Sequence, residues 1–238
     1  MASEILLFGG SGKLGRAILD LRPETRAPGH KDCDITDAVQ VSETVRKHHP
    51  SIVINSAALV GTRECENNHE LAWQTNVEGA ANVARACREN NIRHIFVSSA
   101  AIFNGQKGNY AETDVPTPTF YYAVSKVVAE QAVRMLPDYA IARLDFFSTE
   151  SLKYAKVLVD HFTSKIPVTE AARKILQVAV SGFIGIVNLG QSRKSLYDIL
   201  KPYYPDIEPI KIADSALPGF PRDISLNLKL WQEQFGDN

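Results

Sequence analysis

Residues 6–19, LLFGGSGKLGRAIL, set an apolar run against a cluster of small residues and then against a helix-periodic segment. Gly9, Gly12 and Gly15 fall three apart, and Gly10, Gly12 and Gly15 also fit G-x-G-x-x-G. Glycines that follow a strand and open a helix can serve as a tight connection. They can also serve as a cradle, where backbone approaches a pyrophosphate and free helix N–H groups meet the anion. Placement in the first strand–helix unit favours the cradle. It puts Gly9, Ser11, Gly12, Lys13, Leu14 and Gly15 forward as dinucleotide contacts.

The pattern that follows is alternation. Strand-like runs at 4–8, 51–55, 92–98 and 139–146 are separated by helix-like segments at 13–21, 37–48, 69–90 and 120–135. Residues 22–31, RPETRAPGHK, leave room for at most a short second strand, and Asp34 and Thr36 are cap-type residues ahead of the 37–48 helix. Apolar strands alternating with helices predict a doubly wound, Rossmann-type α/β sheet over 1–146. After about residue 147 the character changes. Helices at 150–161, 168–180 and 192–201, a strand at 184–189, an extended piece at 207–212 and a helix at 225–235 predict a small mixed C-terminal part, 147–238. It caps the open end of the sheet, returns some elements to it and binds substrate.

Composition narrows the function classes. The 238 residues are 45% hydrophobic and 22% charged with net charge −1, so neither nucleic acid nor an anionic membrane is an expected partner. No apolar run reaches the roughly 18–20 residues of a membrane span, and the N-terminus lacks a secretory pattern. Cys33, Cys65 and Cys87 are odd in number and show no C-x-x-C spacing, which predicts free thiols in a reducing, cytoplasmic compartment. His48, His49, His69 and His161 show no metal spacing, so no metal is assigned. TRECENN at 62–68 reads equally as substrate-facing or solvated, and Tyr203 and Tyr204 read as packing.

NAD-binding folds usually end the second strand with an acid for the ribose hydroxyls. Here the region offers Arg26, with Arg22 and Lys31 nearby, which suits a 2′-phosphate and favours NADP over NAD. Asp34 in CDITD, with Ile35 beside it, reads either as an adenine contact or as a helix cap.

Chemistry is suggested by YYAVSK. Tyr122 and Lys126 stand four apart and share a helix face. A neighbouring ammonium is expected to lower the phenol pKa and make Tyr122 a proton donor or acceptor near neutral pH. The strand at 92–98 ends in Ser98 and Ser99, placing a hydroxyl where it can hold a substrate carbonyl.

With GGSGKLGRAI, CDITD, PSIVINSAALVGTRECE, TNVEGAANVARAC, VSSAAIFNG, YYAVSK and FPRDISLNLKL, the chain resembles the extended short-chain dehydrogenase/reductases, most of all the dTDP-4-dehydrorhamnose reductase group. The likeness covers the first 135 residues well and the last 25 modestly. It implies hydride transfer from a nicotinamide to C4 of a nucleotide-linked 4-keto-6-deoxy sugar, in dTDP-rhamnose-type nucleotide sugar metabolism. By the same resemblance Tyr122 donates the proton. Lys126 lowers its pKa and holds the nicotinamide ribose, and Ser99 stands for the family's Ser/Thr. Ala57 and Ala58 lie against the cofactor, Arg222 meets the substrate diphosphate, and Asn76 either serves the site or ties two backbone segments together. Homodimers are common in the superfamily.

Departures from the pattern matter. Ala100 and Ala101 replace the reductases' Asp-Tyr, and an alanine pair cannot supply the acid and base of a dehydratase. SSAAIF is closer to 4-epimerases, which would hold NAD without net redox. The chain is also tens of residues shorter than most of the group, with the deficit in 147–190. A non-catalytic, nucleotide-binding regulatory subunit is a third reading.

Overall fold

The computed structural model describes residues 4–150, 152, 155–215 and 220–236. Strand β1 (Ile5–Phe8) runs through the glycine turn into helix α1 (Lys13–Leu21). Helix α2 (Ala38–His48), strand β2 (Ile52–Asn55), and helices α3 (Thr62–Asn67) and α4 (His69–Trp73) follow. A π-helical turn (Gln74–Glu78) continues into α5 (Gly79–Glu89), and strand β3 (Arg93–Val97), a 3₁₀ turn (Ala100–Ile102), α6 (Tyr121–Val133) and β4 (Tyr139–Arg143) complete this half.

The remainder is built of shorter pieces: β5 (Phe146–Phe147), β6 (Lys156–Leu158), β7 (Phe162–Thr163), β8 (Ile166–Pro167), α7 (Val168–Val180) and β9 (Gly185–Asn188). β10 (Lys194–Ser195), α8 (Leu196–Leu200), β11 (Glu208–Ile210), a 3₁₀ turn (Ile212–Asp214) and α9 (Lys229–Phe235) end it. β1, β2, β3, β4 and β9 lie side by side in that order, every pair parallel.

Period-two side chains sort the two faces. Ile5, Leu7, Ile54, Ile95 and Ala142 pack with Leu14 and Ile18 of α1, Ile175 and Val178 of α7, and Trp231 of α9. Leu6, Phe8, Val53, Phe96 and Ile141 pack with Val41 and Val45 of α2, Val83 and Cys87 of α5, and Ala129 and Val133 of α6. Helices therefore cover both faces of a buried parallel sheet, as the alternation predicts. Cys33, Cys65 and Cys87 are buried free thiols. Among the described residues no helix is long and apolar enough to cross a membrane.

Four expectations need correction. The second strand shrinks to one bridge: Arg26 N donates to Ile5 O at 2.9 Å and Leu7 N to Arg26 O at 2.8 Å. Prolines on either side of that bridge, Pro23 and Pro28, lack the N–H a longer ladder requires. The α2 cap is Asp37, whose Oδ1 accepts from Val39 N and Gln40 N, one residue past the expected Thr36. Asp34 instead folds back on Thr36 N and Oγ1 at 2.9 Å. The expected single helix over 69–90 is interrupted by the π turn, which sets Asn76 into the interior. The helix expected over 150–161 is extended where it is described, with β6 paired in parallel to β11; residues 151, 153 and 154 lie outside the described residues.

Candidate functional site

Two adjoining clefts open at the C-terminal ends of the parallel strands, where the chain passes from β1 to the Arg26 bridge on one side and then to β2 on the other. This is the switch point at which open α/β sheets bind ligands. The larger, about 730 Å³, runs from Gly9, Gly12, Lys13, Leu14 and Gly15 past Ala58, Ser99, Tyr122 and Lys126 to Asp145, His161, Lys165 and Phe220. The smaller, about 420 Å³, is walled by Gly9, Ser11, Gly12, Asp34, Ile35, Ala57, Ala58 and Thr75 among others.

The glycine end is tight for backbone reasons. Gly9 has φ +88°, and a Cβ on it would stand 2.6 Å from Ala57 N. A Cβ on Gly15 would stand 2.2 Å from Gly9 O and 2.6 Å from Gly10 Cα, so α1 lies directly on the turn. Gly12 is different: its Cβ would meet only Gly9 O, at 3.3 Å. It caps α1 without a side chain, and the first turn carries no acidic residue. The amides of the first turn thus lie open to the cleft with the positive end of the helix dipole behind them.

The β2 end is held from the other side. Asn76 Oδ1 accepts from Leu59 N at 2.7 Å, while its Nδ2 donates to Leu59 O and to Ser125 Oγ, each at 3.0 Å. It ties the 57–60 segment to α6, one of the two roles open for it from sequence. Asn55 Oδ1 accepts from Ala57 N at 3.1 Å, leaving its buried Nδ2 without a partner among the described residues.

Ser99, Tyr122 and Lys126 come together on one wall. Ser99 stands two residues past β3 and caps the 3₁₀ turn that follows, and α6 begins at Tyr121 and carries the tyrosine and lysine one turn apart. Lys126 is 2% exposed, its Nζ 4.0 Å from the centroid of the Phe96 ring. Burial pulls its pKa down to about 7, with the Glu130 carboxylate pulling upward. Tyr122 departs from the expectation of a lowered pKa. Burial pushes its phenol up to about 12, against the hydrogen bond from Ser99, and the Asp145 carboxylate adds to the rise. Desolvation dominates here, so the phenol carries its proton at neutral pH.

Beneath this wall is a closed polar network. Glu130 Oε1 accepts from Ser98 Oγ at 2.6 Å and from Arg143 Nε at 3.0 Å, and its Oε2 accepts from Arg143 Nη2 at 2.7 Å. β3, α6 and β4 are thereby joined at the level of the serine and the lysine.

Most of the TRECENN segment forms helix α3; its Thr62 lines the large cleft, most of its other side chains are exposed, and Glu66 has a further role. Glu66 Oε1 accepts from Tyr121 N at 2.7 Å, satisfying the first amide of α6, whose own cap position, Phe120, has no side-chain acceptor. His69 stacks on Tyr121 with ring centroids 3.9 Å apart.

Two sequence-named residues do not line either cleft. Arg26 is exposed and holds the edge of the sheet through its backbone, and the wall of the small cleft carries the His30 imidazole, 3.8 Å from Asp34. Arg222 is exposed, with its carbonyl accepting from Phe162 N at 2.7 Å; its neighbour Pro221 lines the cleft instead.

The far wall was missed. Asp145 lies 3.3 Å from Lys165 Nζ, and His161 faces the same cleft. Asp145 stands just past β4, a position typical of sites on parallel sheets, and was readable by that rule. His161 was considered only as a metal ligand, and Lys165 carried no local signal. Among the described residues no group of three or more His, Cys, Asp and Glu side chains could hold a metal ion.

Comparison with known proteins returns the same region. Residues 3–173 match the family model described as the RmlD substrate binding domain. The chain is 34% identical over 144 residues to a dTDP-4-keto-6-deoxy-D-glucose reductase of Streptomyces niveus, covering 58% of this chain and 50% of that protein. It is 30% identical over 145 residues to the dTDP-4-dehydrorhamnose reductase of Aggregatibacter actinomycetemcomitans, covering 58% and 49%. The matched part thus spans about half the length of these relatives. A crystal structure of dTDP-4-dehydrorhamnose reductase from Bacillus anthracis in complex with NADP superimposes with TM-score 0.89 at 22% identity, over 99% of this chain and 94% of that one. At that identity the likeness is one of fold.

Proposed function

The chain belongs to the RmlD substrate binding domain family, and on that premise we propose that it is an NADPH-dependent reductase of a nucleotide-linked 4-keto-6-deoxy sugar. The observation that carries the reading is the single wall made by Ser99, Tyr122 and Lys126, continuous with the glycine cradle through one cleft. The match to reductases of dTDP-linked keto sugars supports the substrate class.

The cradle fits a dinucleotide on its own geometry. Gly9 and Gly15 have no room for a Cβ, and Gly12 leaves the α1 amides open. Gly9, Ser11, Gly12, Lys13, Leu14 and Gly15 would hold the pyrophosphate. Asp34, Ile35, Ala57 and Ala58 would flank the adenosine half, and Lys126 would hold the nicotinamide ribose. A bound nicotinamide supplies the hydride.

The chain's own groups do the rest. Ser99 and Tyr122 hydrogen-bond the sugar carbonyl and orient it. As negative charge grows on that oxygen, the protonated Tyr122 gives up its proton to it. Burial keeps the phenol protonated at rest, which suits a donor. The Lys126 ammonium, on the same helix face, stabilises the phenolate left behind. No acid at the end of the second strand reaches the small cleft, and Asp34 is engaged by Thr36 and lies 3.8 Å from His30; both support NADP, with NAD as the second choice. The crystal complex of a fold neighbour with NADP agrees. Arg222 would approach the diphosphate from the rim.

The test is NADPH absorbance with a dTDP-linked 4-keto-6-deoxy sugar. Wild-type protein should consume NADPH. Tyr122→Phe should lose about 10²–10⁴-fold in kcat while still binding NADPH. Product formed by epimerisation without net NADPH oxidation would refute the reductase reading.

A further inference from the structure

His161 is the one imidazole on the wall of the large cleft, and it is 4% exposed. Its Nδ1 lies 2.7 Å from the Pro221 carbonyl oxygen. A carbonyl can only accept, so Nδ1 carries the proton and donates. The ring is further fixed by an edge contact with Phe220, at 5.0 Å between centroids. In the neutral imidazole this leaves Nε2 with a lone pair and no hydrogen, and no partner for it is found among the described residues. Burial disfavours the charged form; Asp145 and Asp223 act against that and Lys165 with it.

We propose that His161 is a specificity-determining residue, whose Nε2 accepts a hydrogen bond from a ring hydroxyl of the bound sugar. The sugar is taken from the function proposed above, and the inference rests on that reading. The geometry selects the kind of group. A phosphate or carbonyl oxygen brings only lone pairs and would face another lone pair at Nε2. A hydroxyl brings the missing hydrogen. Asp145, just past β4, acts electrostatically on both the Tyr122 phenol and the His161 imidazole, so proton donor and acceptor flank one carboxylate. Tyr122, Asp145 and His161 line one cleft, so a sugar whose carbonyl meets Tyr122 has His161 on the wall that can receive its other ring positions. A substrate lacking the matching hydroxyl leaves a buried acceptor unpaired, which weakens binding by about 5- to 100-fold.

The experiment is calorimetric binding, in the presence of NADP, of a dTDP-linked 6-deoxyhexose and its 2-deoxy and 3-deoxy counterparts. Wild-type protein should bind one deoxy form about 5- to 100-fold more weakly than the parent sugar. His161→Leu should bring that ratio close to one by losing affinity for the parent alone. His161→Gln, which restores an acceptor, should recover part of it. Unchanged NADP affinity in both variants shows that they are folded. A ratio that survives His161→Leu, or no ratio in wild type, overturns the proposal. Turnover of the 4-keto form on the same samples separates the two readings. A ratio that behaves as expected without turnover supports His161 and refutes the reductase. Turnover without any ratio refutes His161 alone, and failure of every sugar to bind refutes both.

Discussion

Replacing Glu130 by glutamine removes the one carboxylate that is paired directly with Arg143 among the described residues. The two side chains are 1% and 3% exposed, and both carboxylate oxygens are engaged, one by Arg143 Nη2 and the other by Arg143 Nε and Ser98 Oγ. Glutamine keeps one acceptor and turns an amide N–H₂ toward guanidinium donors. Breaking a buried pair from one side costs about 3–5 kcal/mol, because the surviving charge stays buried. For a chain of this size each kcal/mol moves Tm by about 2–4 °C, so the melting point should fall by about 6–20 °C. Thermal melts and urea titrations at pH 7 measure it. Arg143→Met should cost a similar amount, and Glu130→Gln with Arg143→Met together should cost clearly less than the sum of the two single losses. The same carboxylate favours the charged form of Lys126, one turn away. Glu130→Gln should therefore move the alkaline limb of kcat/KM to lower pH, since a lysine already near 7 loses the partner that keeps it protonated. Strict additivity in the mutant cycle, or a Glu130→Gln loss below about 1 kcal/mol, would refute the claim that these residues act as one buried unit.

Three further expectations follow from the same coordinates. His94 is fully buried, both ring nitrogens lack partners among the described residues, and burial pulls its pKa down from 6.5 to about 3. The unfolded chain then binds a proton that the folded chain refuses, so stability falls as pH drops from 6.5 toward 3, by up to about 5 kcal/mol. His94→Leu should flatten this acid limb in urea titrations between pH 4 and 7, and an unchanged limb would assign acid lability elsewhere. Gly15→Ala, whose Cβ would stand 2.2 Å from Gly9 O, should cost about 1–3 kcal/mol or more and abolish NADPH binding. Gly12→Ala, at 3.3 Å, should melt within a few degrees of wild type yet bind NADPH more weakly; the opposite ranking in Tm would refute the packing argument. Arg26 lines neither cleft, so Arg26→Ala should leave the preference for NADPH over NADH unchanged in fluorescence titration; a selective loss of NADPH would return Arg26 to 2′-phosphate recognition.

Legibility in the sequence followed the range of the interaction. The glycine turn, Tyr122 and Lys126 are local: a spacing of three beside a strand, and a spacing of four on a helix, imply shared geometry before any tertiary contact forms. The strands of the sheet were equally plain because both faces are buried, which makes each a continuous apolar run. Where an outcome depended on a distant partner, sequence reading misplaced it. The Tyr122 phenol was expected to fall under the influence of Lys126, yet desolvation by the surrounding cleft dominates. Thr36 and Asp37 are both cap types, and Gln40 decides between them: its Nε2 donates to Asp37 Oδ2 at 2.9 Å. Residues 150–161 were expected to be helical; the pairing that makes 156–158 a strand comes from Glu208–Ile210, some fifty positions away. Glu66 was seen only as part of a charged loop because its partner, the amide of Tyr121, lies 55 residues later.

The two halves of the cleft are built to different standards of rigidity, and this bears on what each can do. Ser99, Tyr122 and Lys126 sit just past a five-residue strand and on a thirteen-residue helix, tied at their base by Glu130 and at the helix start by Glu66. Asp145, His161 and Lys165 hang between two-residue ladders: β5 with β8, and β7 with β10. Hydrogen transfer tolerates little displacement of the reacting groups, so the first arrangement suits the chemistry. Short ladders with few shared hydrogen bonds open more easily and tolerate substitution at their ends. A change of substrate is therefore best sought at His161 and its neighbours, where hydrogen-bond character can be altered without disturbing the wall of Ser99, Tyr122 and Lys126.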